Sequence, residues 1–273
     1  MSQRVPKLIT FDGEARSGKG TIVQMTKAYL RDERGYNPML IDRGQAFRSL
    51  VVAAQRASVD IDSPDSIDDF LNNQQNLTYA AEFVKDVYHM DKDERDALLY
   101  TNEIGENSAK IGARPASQKF VINLTKKWMT DASEDGFDVV LLDGRALESI
   151  AREMQSEGLC EYVLGLYFVC NSEVGARRTL GYATTEYKNL TSSQQDEVND
   201  FVRQIEARNQ ADMTRQVERL IAPAGATKVY LPSPPEGSDN MYIIDTSMNM
   251  TKEEMAMPVA EFVASRLSVD NAR

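Results

Sequence analysis

A chain of 273 residues with 31 Lys plus Arg against 42 Asp plus Glu carries a formal charge of −11, and 42% of its residues are hydrophobic. That is enough apolar material to fill the core of one large domain or two small ones, and it excludes disordered, collagenous and disulfide-stapled classes. So acidic a balance also argues against coating a nucleic acid, whose phosphates are held by surplus Lys and Arg, and any anionic ligand must find a local basic pocket.

Lys7 to Phe11 is a short apolar run ending at Asp12-Gly13, and Ile22, Val23, Met25 and Leu30 give Thr21 to Arg31 helical spacing. A second strand, Pro38 to Ile41, ends at Asp42 and leads into a helix that fades near Ala57. From about Val59 to Arg114 the chain turns polar and carboxylate-rich without a strong strand signal, which predicts a helical insert. The only histidine, His89, lies in this insert beside Asp91, Lys92 and Asp93 and reads as a surface residue, so chemistry built on a catalytic histidine is not expected. Phe120, Val121, Leu124 and Trp128 place a helix over Ala116 to Met129, and Val139 to Leu142 is an apolar strand ending at Asp143-Gly144.

Val163 to Val169 is the fourth strand, and the apolar run around it, Tyr162 to Cys170, is far too short to span a bilayer. Cys160 and Cys170 are the only cysteines, so neither a disulfide framework nor a zinc cluster is expected. With no apolar signal segment before Asp12, the expectation is a cytoplasmic monomer with no membrane or nucleic-acid partner. Arg177, Arg178 and a polar stretch precede a long charged helix from Ser192 to about Arg219, which together predict a mobile helical pair. A weak strand at Lys228 to Leu231, a strong one at Met241 to Asp245 and an amphipathic helix from Lys252 to Leu267 close the chain. Strands alternating with helices predict an α/β fold with a parallel sheet, ligands binding beyond the carboxyl ends of its strands. Asp12, Asp42 and Asp143 all fall at such ends.

Gly13-Glu14-Ala15-Arg16-Ser17-Gly18-Lys19-Gly20-Thr21 fits the G-x-x-x-x-G-K core of a phosphate-binding loop, and it sits between a strand and a helix. Its backbone N–H groups, from Gly13 and Ser17 through Gly18 and Gly20, would cradle phosphate oxygens at a helix N-terminus, with Lys19 reaching the β and γ phosphates of ATP. Gly20 stands where the motif has Ser or Thr, which leaves Thr21 or a water as the hydroxyl contact to Mg²⁺. Asp143, after an apolar strand, is placed like a carboxylate that holds Mg²⁺ or its waters, although a helix cap would suit it too. Asp12 and Asp42 divide evenly between capping and magnesium contact.

The phosphate loop, then Asp42-Arg43-Gly44-Gln45-Ala46-Phe47-Arg48, Asn102-Glu103-Ile104, Asp143-Gly144-Arg145, Arg177-Arg178, Arg208, Asp212 and Arg215, and Ala222-Pro223 resemble the bacterial cytidylate kinases in the same order. The resemblance implies a P-loop kinase core over residues 1–58 and 115–273, a monophosphate-binding insert over 59–114 and a lid over 177–215. It implies ATP and Mg²⁺ as cofactors and a nucleoside monophosphate as the acceptor. Arg48, Arg145, Arg208, Asp212 and Arg215 would hold the acceptor and the transferring phosphate, and Arg177 and Arg178 would close over the donor. Transfer between two phosphates needs positioning and cation density rather than a general base, so one histidine is no obstacle.

Arg16 and Arg43 stand where the family has Gly and a small hydroxyl residue, and Ala109, Gln118 and Ala146 stand where it carries Ser, Arg and Asp around cytosine. Gln118 would face the base in their place, with altered specificity. Two other readings stay open: a small-metabolite P-loop kinase, and a degenerate nucleotide-binding protein without transfer activity. A regulatory GTPase is excluded by the lack of an Asn-Lys-x-Asp run after a strand.

Overall fold

The computed structural model describes residues 5–63 and 65–269. They divide into two compact units, one formed by the chain up to Ile41 and from Met129 onward, the other by Asp42–Trp128. The expected insert, 59–114, lies within the second unit.

The first unit is built on six strands: β1 Lys7–Gly13, β2 Pro38–Asp42, β3 Val139–Asp143, β4 Glu161–Val169, β5 Thr227–Tyr230 and β6 Met241–Asp245. They form one parallel sheet in the order β2-β3-β1-β4-β6-β5. β1 and β3 are buried along their whole length, as continuous apolar runs in a sheet covered on both faces must be. In register, Phe11 lies opposite Asp143 on β3, while Asp12 and Gly13 lie opposite Tyr167 and Phe168 on β4, so the polar strand ends gather at one rim.

Helices α1 Lys19–Asp32, α8 Leu147–Ser156, α9 Ser172–Thr179, α10 Ser192–Thr214 and α11 Lys252–Val269 belong to this unit, and α7 Pro115–Glu134 begins in the other one. Ile22, Val23 and Leu30 of α1 and Val259, Val263 and Leu267 of α11 share a core with Ile9, Phe11, Leu141, Leu166 and Ile244 of the sheet. The second unit contains α2 Arg43–Arg56, α3 Ser66–Asn72, α4 Gln74–His89, α5 Lys92–Leu99 and α6 Asn102–Gly112, and its described residues hold no strand of their own beyond the last residue of β2. There α2 packs against α4 and α6, burying Leu50, Val51, Val84, Val87 and Ile111. His89 is exposed at the end of α4, and both cysteines are free thiols. Among the described residues no helix is long and apolar enough to cross a membrane.

Helix α8 has no counterpart in the sequence reading, and the reason is chemical. Its flanking residue Ala146 is left-handed, at φ 54°, and has no side chain to cap the helix. The N–H groups of Ala146 and Leu147 donate instead to Asp12, a residue far away in sequence. Helix α10 ends at Thr214, short of the expected Arg219, where Leu220 N–H folds back onto the Asp212 carbonyl.

Candidate active site

The segment between β1 and α1 has the geometry of a phosphate loop. Gly13, at φ 129°, runs so close to β4 that a methyl group there would overlap the Phe168 backbone, and Glu14 N–H donates to the Phe168 carbonyl at 2.9 Å. Gly18 is left-handed at φ 82° and its carbonyl accepts the first helical bonds of α1, from Thr21 and Ile22 at 3.0 and 3.2 Å. Both positions therefore require glycine. Nothing lies near the missing side chain of Gly20. Ser17 Oγ donates to the Glu14 carbonyl at 3.0 Å, while Thr246, just after β6, donates its hydroxyl to the Ser17 carbonyl at 2.8 Å. Thr246 is buried and braces the loop, a role that nothing in its sequence context marks.

Lys19, at the start of α1, turns its ammonium to the end of β3: it pairs with the Asp143 carboxylate and donates to the Gly144 carbonyl at 2.8 Å. The loop lysine and the candidate metal carboxylate thus meet. Asp12 accepts from the N–H groups of Gly13, Ala146 and Leu147 at 2.6, 3.1 and 2.7 Å. Burial pushes its carboxyl above the ordinary range, against the pull of those donors and of Lys19. Its lone pairs serve the start of α8, so Asp12 caps that helix. Asp42 likewise caps α2 through Gln45 N–H at 3.0 Å.

Arg145 follows, its guanidinium paired with Asp212 of α10. Asp212 also meets Arg215 at 3.5 Å, and Arg215 donates to the Glu218 carbonyl. Burial first, and then the like charges of Arg208 and Arg215, push Arg145 down to about 9. Asp212 thus serves the guanidinium groups of Arg145 and Arg215, with the charge of Arg208 nearby, a local cationic pocket in a chain of net charge −11. A bound polyanion would relieve that crowding.

Arg177 and Arg178 are engaged with protein. Arg177, 4% exposed, donates to Glu173 at 2.9 Å, to the Thr185 carbonyl at 2.7 Å and to Asn249 at 3.2 Å. Arg178 donates to the carbonyls of Thr246, at 2.6 Å, and of Met248. Together they brace the loop after β6.

In the second unit, the Arg48 guanidinium stacks 4.7 Å over the Tyr100 ring, and among the described residues its buried Nε makes no hydrogen bond. Gln118 is buried, its amide donating to the Gly112 carbonyl and its oxygen accepting from Arg43 at 3.4 Å. Ala109 is exposed on α6.

The donor set fits the expected magnesium. Asp143 and Thr21 are hard oxygen donors beside the phosphate loop, and no cluster of three or more His, Cys, Asp or Glu occurs among the described residues. Mg²⁺ favours such sites, in which phosphates and waters complete the shell around one or two protein oxygens.

The family model for cytidylate kinase matches residues 9–233. A cytidylate kinase of Acinetobacter baumannii (strain SDF) is 25% identical over 264 residues, spanning 95% of this chain and 97% of that protein. One from Limosilactobacillus fermentum is 23% identical over 218 residues, spanning 80% and 85%. With the phosphate loop, the β3 carboxylate and the arginine pocket held on one parallel sheet, the chain belongs to the cytidylate kinase family of nucleoside monophosphate phosphotransferases.

Proposed function

We propose that the protein transfers the γ-phosphoryl group of ATP to a ribo- or deoxynucleoside monophosphate, with a base preference that has departed from cytosine. The observation that carries this reading is the meeting of Lys19, Asp143 and Gly144 beside the pocket of Arg145, Arg208, Asp212 and Arg215. The loop N–H groups of Gly13, Ser17, Gly18 and Gly20 and the start of α1 hold the donor phosphates, and Lys19 exchanges Asp143 for phosphate oxygens. Arg145 and Arg208 offset charge on the equatorial oxygens of the transferring group. Asp212 and Arg215 would orient the acceptor, Arg48 would take its phosphate, and Gln118 would meet its base. Arg177 and Arg178 shape the donor end of the site through the loop that they brace. Asp143 and Thr21 would hold Mg²⁺, which when bound neutralises developing charge and aligns the phosphates. The remaining assignments are residues 59–114 as the monophosphate-binding insert, 177–215 as the lid, and a cytoplasmic monomer without membrane or nucleic-acid partners.

Loss of cytosine preference rests on Ala146, which supplies no carboxylate to accept from an exocyclic amine, and on Gln118, whose amide is already shared with Arg43 and Gly112. The test is a comparison of kcat/KM for CMP, dCMP, UMP, dTMP, AMP and GMP with ATP and Mg²⁺, read as ADP release. CMP should hold no large lead. Because Asp tolerates the left-handed conformation found at Ala146, A146D should raise kcat/KM for CMP by about 10- to 10²-fold, the worth of one buried polar contact. A wild-type preference for CMP above about 10²-fold would refute the altered specificity.

A further inference from the structure

Along α10, Val198, Val202, Ile205, Asn209 and Asp212 recur at the four-three spacing of one helical face. Val198 and Ile205 are buried in a small core with Ala15 of the phosphate loop, Ala176 and Leu190, and Val202 packs against it. The stripe turns polar at its last two positions. Asp212 meets the Arg145 guanidinium, and Asn209 Oδ1 accepts from the N–H of Ala15 at 2.8 Å. Two turns earlier, Phe201 receives the Arg16 guanidinium 5.3 Å over its ring. Helix α10 is thus seated on the phosphate loop by an apolar core, a cation–π contact and one hydrogen bond to the loop backbone.

We propose that Asn209 is a positioning residue for phosphoryl transfer, holding the phosphate loop and the arginine-bearing end of α10 in one alignment. This rests on the kinase reading above. Arg208 precedes Asn209, and Asp212 follows on the same face, so an anchor at Asn209 fixes where both reach relative to Lys19. The amide side chain suits the task, since its oxygen accepts the Ala15 N–H without a negative charge beside the place of a triphosphate.

The experiment compares wild type, N209L and N209D in steady-state kinetics, with the Ala15 amide followed by hydrogen exchange in the ligand-free protein and thermal melting as a folding control. N209L removes the acceptor at similar volume. It should lower kcat about three- to tenfold with KM for ATP changed less than about twofold, and should speed exchange at Ala15. N209D keeps an acceptor oxygen and should recover the kcat lost in N209L, while its charge raises KM for ATP. Wild-type kcat and Ala15 exchange in a folded N209L would overturn the inference, and a raised kcat would do so too, by making the contact a brake. If the wild type itself phosphorylated none of the monophosphates, the functional reading would fall and the role in transfer with it; an active wild type with an unaffected N209L would remove this inference alone.

Discussion

The ammonium of Lys19 rests between the Asp143 carboxylate and the Gly144 carbonyl, two groups that bound phosphate would replace in part. Its charge lies beyond the apolar core, so K19A should leave the fold intact. Turnover should fall by about 10² to 10³ or more, the scale of one preorganised electrostatic contact; near-normal turnover, with melting as the folding check, would remove the phosphate-loop assignment. Arg145 obeys a related logic of sign. Its folded value lies below the ordinary arginine range, so burial and like charge disfavour the protonated form, and that cost is in force at every pH below about 9. An anion bound there would offset that penalty at neutral pH. The need for glycine at Gly13 and Gly18 was legible because a phosphate loop is a local pattern. Capping by Asp12 was legible only as one of two readings, and the helix it caps was not, because its partners Ala146 and Leu147 come from another part of the chain.

At the scale of elements, the phosphate loop separates two kinds of glycine. Gly13 is fixed by its approach to Phe168 and by φ 129°, whereas open space surrounds the missing side chain of Gly20. G13A should therefore destabilise by about 2–5 kcal/mol, from overlap and backbone strain together. G20S, in the first turn of α1, should stay within about 0.5 kcal/mol of wild type or exceed it. Urea unfolding of both variants checks the pair, and equal stabilities would show that the approach of β1 to β4 is looser than described. β1, β2, β3 and β6 were readable as apolar runs closed by carboxylates, since both faces of a parallel sheet are covered. Helix α8 was missed although Leu147, Ile150, Ala151 and Met154 carry its periodicity, because the cap that starts it is supplied by tertiary structure. The seat of α10 on the phosphate loop was hidden for the same reason: Asn209 meets a backbone N–H, and a backbone group leaves no mark on composition.

At the scale of the molecule, an acidic chain can hold polyanions only by concentrating cations, and in the first unit that concentration is carried by Lys19, Arg145, Arg208 and Arg215. The second unit holds Arg48 stacked on Tyr100 and the buried amide of Gln118. If the helical unit takes the acceptor and the segment from α9 through α10 acts as a lid, ligands should order both, since transfer that avoids plain ATP hydrolysis requires water to be excluded. Hydrogen exchange is the suited observable, because opening events of low free energy are concentrated in such segments. A bisubstrate analogue joining adenosine to a nucleoside through a polyphosphate should slow exchange within residues 59–114 and within 177–215, while ADP alone should protect the phosphate loop and leave 59–114 near its free rate. Protection confined to the loop in both cases would show that the helical unit does not bind the acceptor, and the search for acceptor contacts would then turn to residues of the first unit.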